Sequence, residues 1–478
     1  MTLVALIAIV LPLFVVVGAA ALIPPQYEKT FVGALDEKID RLNSIEEEKI
    51  VIVGGSSVAF GLDSEIIEEQ TGMPVVNFGL YAALGTKVML DLSRQGINRG
   101  DVVIIAPEMD AQTLSMYFSS ETTLQAADGD LSILRHVRGE DILSLIGGSW
   151  KYLANKFSYF VNKNAPDPEG VYNADSFNEY GDIEYPRPKN VMGLYYDPNK
   201  MIDLNESIID DEFIEYLNEY VNYCKGRGAD VYFSFCPMNE NALAEGTDDD
   251  SIDAFVDYLD EVLECEVISD PRTYIMEAGY FYDSNFHLND AGVVYRSAKL
   301  TEDIFFALGI PDVVSVAIPE APELPAADVR YFDTDENEKY FTYEPLTGSN
   351  GDIFGYVITG LTEEGKKQQT LTVPLGVATY KVTRIGNDAF AGGVATKVII
   401  QDITLAETNE LAIDDQAFRG SNVKALYIYT FSAETIVPPS ASNGYIPTGF
   451  RVYIPSDSDY RTGYYWSQIN VSFEDIQE

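Results

Sequence analysis

Five short segments of this 478-residue chain are apolar almost without interruption, and the stretches between them carry apolar side chains at helical spacing. The segments are residues 49–53, 74–78, 101–106, 230–235 and 266–269, of which Lys49-Ile50-Val51-Ile52-Val53 is representative. A strand with one face in water alternates polar and apolar residues, so a continuously apolar strand has both faces covered. The covering helices are marked by Leu84, Val88 and Leu92; by Phe213, Leu217, Tyr220 and Cys224; by Ile252, Phe255, Leu259 and Val262; and by Leu300, Ile304 and Leu308. Strands and helices in this alternation predict an α/β fold with a parallel sheet between helical layers. Residues 110–200 interrupt the pattern. Helix is expected across 131–160, followed by an irregular stretch rich in Tyr, Asn, Asp and Pro, serving either as a lid over a site or as a surface elaboration.

The texture changes at both ends. The first charged side chain is Glu28, and residues 3–23 form one apolar stretch from Leu3 to Ile23, close to the ~20 residues a bilayer crossing needs. An uncleaved N-terminal transmembrane helix is expected within residues 1–25, holding the bulk of the chain outside the cytoplasm at the cell membrane. A signal peptide cut after Ala19-Ala20-Ala21 is the alternative; the apolar run exceeds the usual signal core of ~7 to 15 residues, which favours the anchor. Val32, Leu35, Ile39 and Leu42 mark an amphipathic juxtamembrane helix within 26–48, leading to a domain over 49–309. Pro311, Pro319, Pro322 and Pro325 make 310–328 a linker. Within 329–478, Ile385-Gly386-Asn387-Asp388-Ala389-Phe390-Ala391-Gly392 recurs 28 residues later as Ile413-Asp414-Asp415-Gln416-Ala417-Phe418-Arg419-Gly420. Strand triplets Val398-Ile399-Ile400, Leu426-Tyr427-Ile428 and Val452-Tyr453-Ile454 accompany the copies. Such a period predicts a β-rich solenoid, each unit burying its apolar face on the next.

The apolar run 49–53 stops at Gly54-Gly55-Ser56-Ser57. Glycines permit a sharp turn there, and a serine just past a buried strand projects its hydroxyl beyond the sheet edge, beside the free N–H groups of a helix start. Serine is a weak nucleophile at its free pKa and needs a base within hydrogen-bond reach and a third group to orient that base. One of only two histidines stands in Asp283-Ser284-Asn285-Phe286-His287-Leu288. Ser56 is therefore the candidate nucleophile, with Ser57 next; His287 is the candidate base and Asp283 its orienting carboxylate. The competing structural roles are a helix cap for Ser56 and a capping or buried imidazole for His287 ahead of the helix opening at Asn289-Asp290. His136 has no partner motif and is expected to be structural or exposed.

These residues resemble the SGNH (GDSL-type) hydrolase superfamily, in particular its membrane-anchored bacterial branches that act on cell-envelope polymers. Gly54-Gly55-Ser56 resembles the family's first block, Asn77-Phe78-Gly79 its second, and Asp283 with His287 its last. The resemblance implies a flavodoxin-like three-layer parallel sheet, Ser56 as nucleophile, and the Ser56 and Gly79 N–H groups as oxyanion donors. Two departures stand out. Asp283 precedes His287 by four residues where the family has three, and the loop after the third strand reads Ala106-Pro107-Glu108-Met109-Asp110 where the family supplies an Asn donor. An ionised Glu108 close to the oxyanion would repel it, and one lost donor costs ~10²- to 10³-fold in rate. The repeats, with the tail Tyr453-Ile454-Pro455, Tyr460 and Trp466, resemble BspA-like leucine-rich repeats, mostly found in bacterial surface proteins, which implies binding or display.

The expectation is an extracytoplasmic serine esterase or O-acyltransferase acting on acyl esters of cell-envelope polysaccharide and positioned by its repeats. Its expected partners are that glycan or another ester, a protein on the repeat domain, and the membrane through the N-terminal helix. The alternative is an inactive SGNH-like surface protein whose repeats mediate adhesion. A formal charge of −45, from 76 acidic and 31 basic residues, argues against nucleic acid. Cys224, Cys236 and Cys265 lack the spacing of a disulfide framework or zinc site, so no metal or cofactor is expected. Residues 360–367 imitate a phosphate loop, but Lys367 stands where Ser or Thr should bind magnesium. Asp333, Asp335, Asn337 and Glu344 imitate a calcium loop, but Glu338 occupies the position of the turn glycine.

Overall fold

The computed structural model describes residues 23–324 and 337–476, apart from 139–140, 193–194, 198–199, 245, 348–352, 375, 378–379, 402–410, 431–432, 434, 441–442, 457, 459 and 462–463. The chain divides into two compact units, residues 1–190 with 196–323, and residues 191–195 with 324–478.

Among the described residues, the first unit contains a five-stranded parallel sheet built from β1 (Ile50–Gly54), β2 (Val75–Gly79), β3 (Val102–Ile105), β4 (Asp230–Phe233) and β5 (Glu266–Val267), in the order 2-1-3-4-5. β1, β2 and β3 are buried throughout, as two-sided coverage requires. The helices are α1 (Leu35–Ser44), α2 (Ser56–Ala59), α3 (Ser64–Thr71), α4 (Thr86–Ser93), α5 (Ser120–Ala126), α6 (Ile142–Asn162), α7 (Asp211–Arg227), α8 (Asp249–Val262), α9 (Pro271–Tyr274) and α10 (Asp290–Leu308). Ile50, Ile52 and Val75 share a buried cluster with Ile67 of α3 and Leu300 and Ile304 of α10. Each such side chain contributes about 1.5–3 kcal/mol on burial. Where β1 begins, the fully buried Lys49 ammonium meets Asp101 at 3.0 Å.

The amphipathic helix expected within 26–48 occurs as α1, its apolar residues Leu35, Ile39 and Leu42 buried and Arg41 donating to the carbonyl of Val75 at 3.0 Å, so it packs as part of the first unit. The proline-rich stretch is no free linker as far as it is described. Tyr280 donates to the Pro319 carbonyl at 2.9 Å, and Ser315 N–H donates to Gln70 at 3.0 Å, so the stretch lies along the first unit. Proline removes helical periodicity but leaves carbonyls free to accept. The expected anchor falls almost wholly on residues 1–22, outside the described residues; among those described, no helix is long and apolar enough to cross a membrane.

The second unit is β-rich. Thr370–Val373, Lys397–Ile400, Ala425–Ile428, Arg451–Ile454 and Ser472–Asp475 pair in parallel in that order. A second sheet runs Ile436–Val437, Leu411–Ile413, Tyr380–Ile385, Ile353–Leu361 and Phe341–Thr347, the last pair antiparallel. Lys397 pairs with Ala425, an offset of 425 − 397 = 28, which is the repeat period. Gly392 and Gly420 close the two copies at φ of +72° and +69°, where a side chain would be strained, and Phe390 stacks on Phe418 at 5.4 Å. The phosphate-loop look-alike leads through a single helical turn, Gly365–Lys367, into the strand Thr370–Val373, with no helix to bind phosphate. Asp333 and Asp335 lie outside the described residues.

Candidate active site

β1, β2 and β3 end together, and the candidate residues sit at or just beyond their carboxyl ends. Gly54 pairs in register with Gly79. A Cβ on Gly54 would lie 2.5 Å from the Ala106 carbonyl oxygen, and one on Gly55 would lie 2.3 Å from the Glu108 carboxylate. Only glycine admits the loop after β3 so close. α2 then starts at Ser56. The Ser56 hydroxyl does not cap this helix, for which Gly55 is the N-cap residue without a side-chain bond.

It meets His287 instead. Ser56 Oγ lies 2.8 Å from His287 Nε2, across 231 residues of sequence, and His287 Nδ1 lies 2.7 Å from Asp283 Oδ1. The Tyr172 hydroxyl donates to Asp283 Oδ2 at 2.6 Å. An ionised carboxylate only accepts, so Nδ1 carries the proton and Nε2 is left to accept from the serine. The extra residue between Asp283 and His287 is absorbed in a turn: Ser284 Oγ accepts from the His287 N–H at 3.1 Å, and Phe281 bridges Leu288. Phe60, one turn beyond Ser56, stacks on the imidazole at 4.0 Å and 5°. Ser56 and His287 are both buried, retaining 6% and 8% of their surface. Burial pushes the Asp283 carboxyl up, but the charge and hydrogen bond of His287, the Tyr172 hydroxyl and Arg187 outweigh it and hold the group below its ordinary value.

The oxyanion side differs from expectation. The Gly79 N–H donates to Asn77 Oδ1 at 3.1 Å and is already engaged. Asn77 is locked in turn, since its amide donates to the Val58 carbonyl at 2.9 Å and to Asp182 at 2.7 Å. Glu108 accepts the Ser57 N–H at 2.7 Å, and the same oxygen lies 3.2 Å from Ser56 Oγ. Its other oxygen is buried with no hydrogen-bond partner among the described residues. The carboxylate thus sits beside the Ser56 hydroxyl and on an N–H group in the first turn of α2. Behind it, the fully buried Arg296 donates to the Ser57 carbonyl at 2.5 Å. Burial pushes its guanidinium down, and Glu108 is among the charges that oppose this. Glu108→Gln removes the repulsion and adds an amide donor, so reaction of Ser56 with an ester or phosphonate should speed up about tenfold. Thermal stability should fall, because Arg296 keeps its buried charge. A slower reaction, measured as a pseudo-first-order rate, would show that Glu108 supports the chemistry.

Asp182 organises the support beneath the site. It accepts from the Ser64 N–H and hydroxyl at 2.7 and 2.8 Å as well as from Asn77, and burial raises its pKa. Lys38, fully enclosed, donates to the carbonyls of Asn77 and Gly181 at 3.1 and 2.5 Å; burial pushes its ammonium down to about 7. Asp182→Ala strands the Ser64 N–H and hydroxyl, costs the Asn77 amide one of its two acceptors and removes the charge facing Lys38, and should destabilise the unit by about 3 kcal/mol in urea unfolding. An unchanged midpoint would count against the network.

Sequence reasoning missed Tyr172, Phe60, Asp182 and Arg296. Phe60 had a signal, since it follows Ser56 by four residues on a helical turn. Tyr172 and Asp182 lie in the irregular insertion, where no periodicity or motif marks them. His136 is outside the site, its ring accepting from Arg135 Nε at 2.9 Å. A cavity of about 510 Å³ near Asp167, Asn173 and Tyr185 contains none of the three triad residues. Among the described residues no cluster suits a metal ion, and the three cysteines are buried free thiols.

No protein-family model, curated protein or solved structure matches this chain.

Proposed function

We propose that the first unit is an SGNH-type hydrolase domain acting as a serine esterase or O-acyltransferase on acyl esters of cell-envelope polysaccharide. The observation that carries this reading is the Ser56–His287 contact at 2.8 Å, with Asp283 in line behind the imidazole. The strand order 2-1-3-4-5 supports it, being that of flavodoxin-type sheets, whose ligands bind beyond the strands' carboxyl ends.

In this mechanism Ser56 Oγ attacks the ester carbonyl while His287 Nε2 takes its proton, and Asp283 stabilises the resulting imidazolium. The tetrahedral oxyanion is held by the Ser56 N–H and by the Gly79 N–H once that donor leaves Asn77. His287 returns the proton to the departing alkoxide, leaving an acyl-serine. Water or an acceptor hydroxyl then attacks the acyl carbon, again giving its proton to His287, which restores it to the leaving Ser56 oxygen. The second unit, read as a BspA-like leucine-rich repeat solenoid, holds the polymer or a neighbouring protein, and the apolar stretch 3–23 anchors the whole outside the cytoplasm.

The full chain in detergent should cleave p-nitrophenyl acetate and release acetate from an O-acetylated polysaccharide, and Ser56→Ala should do neither. Absence of turnover by the wild-type chain would favour the second reading, an inactive hydrolase fold with adhesive repeats. That reading draws on the Glu108 carboxylate 3.2 Å from Ser56 Oγ and on the engaged Gly79 N–H.

A further inference from the structure

The insertion helix α6 has an outward stripe that the proposed activity does not use. Leu143, Ile146, Trp150, Phe157, Phe160 and Val161 are 79%, 37%, 55%, 59%, 47% and 57% exposed. Their spacing puts them on one side of the helix, while Leu145, Tyr152 and Lys156 are buried on the other. Large apolar side chains massed on a surface mark a contact.

The covering partner is indicated by where the inner side is fastened. Asp128 accepts from the backbone N–H groups of Gln26 and Tyr27 at 2.5 and 3.2 Å, from the Tyr152 hydroxyl, and from Lys156 at 2.5 Å. The Tyr27 ring lies 6.0 Å from that of Tyr152 and 5.7 Å from that of Tyr159. α6 is therefore bolted to the chain directly after the apolar stretch 3–23. Residues 24–26, even fully extended, span at most about 10 Å. If the stretch crosses a bilayer, Tyr27 and the helix packed on it lie at the membrane surface.

We infer that α6 lies in the plane of the membrane with this stripe among the lipid head groups and upper acyl chains, a second attachment that fixes how the first unit faces the surface. The inference rests on the anchor reading of 3–23. A Trp, Phe and Leu stripe on a helix too polar to span suits such a position. The charge of −45 gives anionic lipid no hold, so insertion is apolar and requires no acidic head group.

Trp150 is the reporter, since the other tryptophan, Trp466, is buried. The full chain is reconstituted in phosphatidylcholine vesicles with or without brominated phosphatidylcholine, and flotation is measured alongside emission. The expected result is flotation with bromolipid quenching of the wild-type chain, absent in Trp150→Phe and weakened in Leu143→Asp/Phe157→Asp, both of which still float. Flotation with emission indifferent to bromolipid overturns the inference while sparing the anchor; Trp150 shielded from aqueous iodide in that case points to a protein partner or second copy. Failure to float removes both.

Discussion

His287→Ala is expected to lower ester turnover by about 10⁶-fold. The reason is geometric. The Ser56 hydroxyl lies 2.8 Å from His287 Nε2, and its other neighbour, the Glu108 carboxylate, is more distant at 3.2 Å. Without the imidazole, Glu108 is the remaining acceptor, and a carboxylate is too weak a base to activate an alcohol of ordinary acidity near neutral pH. Nucleophile and base act as one unit, so Ser56→Ala/His287→Ala should be no slower than either single variant. The check is turnover of p-nitrophenyl acetate by each variant, with circular dichroism confirming that loss of the Phe60 stack leaves the fold intact. Additive losses would mean that the two groups act separately.

Asp283→Asn should lower turnover by about 10⁴-fold with little change in structure. An amide facing Nδ1 can donate as well as accept, which favours the tautomer with the proton on Nε2, the atom that must receive the serine proton. It also withdraws the charge that stabilises the imidazolium. Since Asp283 is held below the ordinary Asp value, it stays ionised through the neutral range and the deficit should be constant there. The same shift fixes a stability trend. A carboxyl with a depressed folded-state pKa stabilises the fold above its unfolded value, and this contribution is lost as pH falls through the folded value. Asp283→Asn should therefore show a shallower loss of stability on acidification, read from urea midpoints. A steeper loss would contradict the assignment.

The strands were legible because burial on both faces leaves a mark on every residue. Segments expected at 49–53, 74–78 and 101–106 occur as Ile50–Gly54, Val75–Gly79 and Val102–Ile105. Of the helix expected across 131–160, the first part occurs as 3-10 turns, Leu131–His136, and the rest as an α-helix that begins only at Ile142 and runs to Asn162. That Ser56, His287 and Asp283 come together was legible because the serine-nucleophile reading restricts residue type, and this chain has only two histidines. The oxyanion side was not legible. Whether the Gly79 N–H is free depends on the Asn77 rotamer, and that is set by Asp182 from a distant loop. Tyr172 escaped for the same reason, since a hydrogen bond across 111 residues leaves no local pattern. The fastening of the proline-rich stretch rests on individual contacts with Gln70, Gly279 and Tyr280, invisible to composition.

The most direct test of the account is mapping of a fluorophosphonate adduct by peptide mass spectrometry in the wild-type chain and in His287→Ala. The account predicts stoichiometric adduct on Ser56 in the former and none in the latter. An unlabelled Ser56 in the wild type, or labelling indifferent to His287, would contradict it.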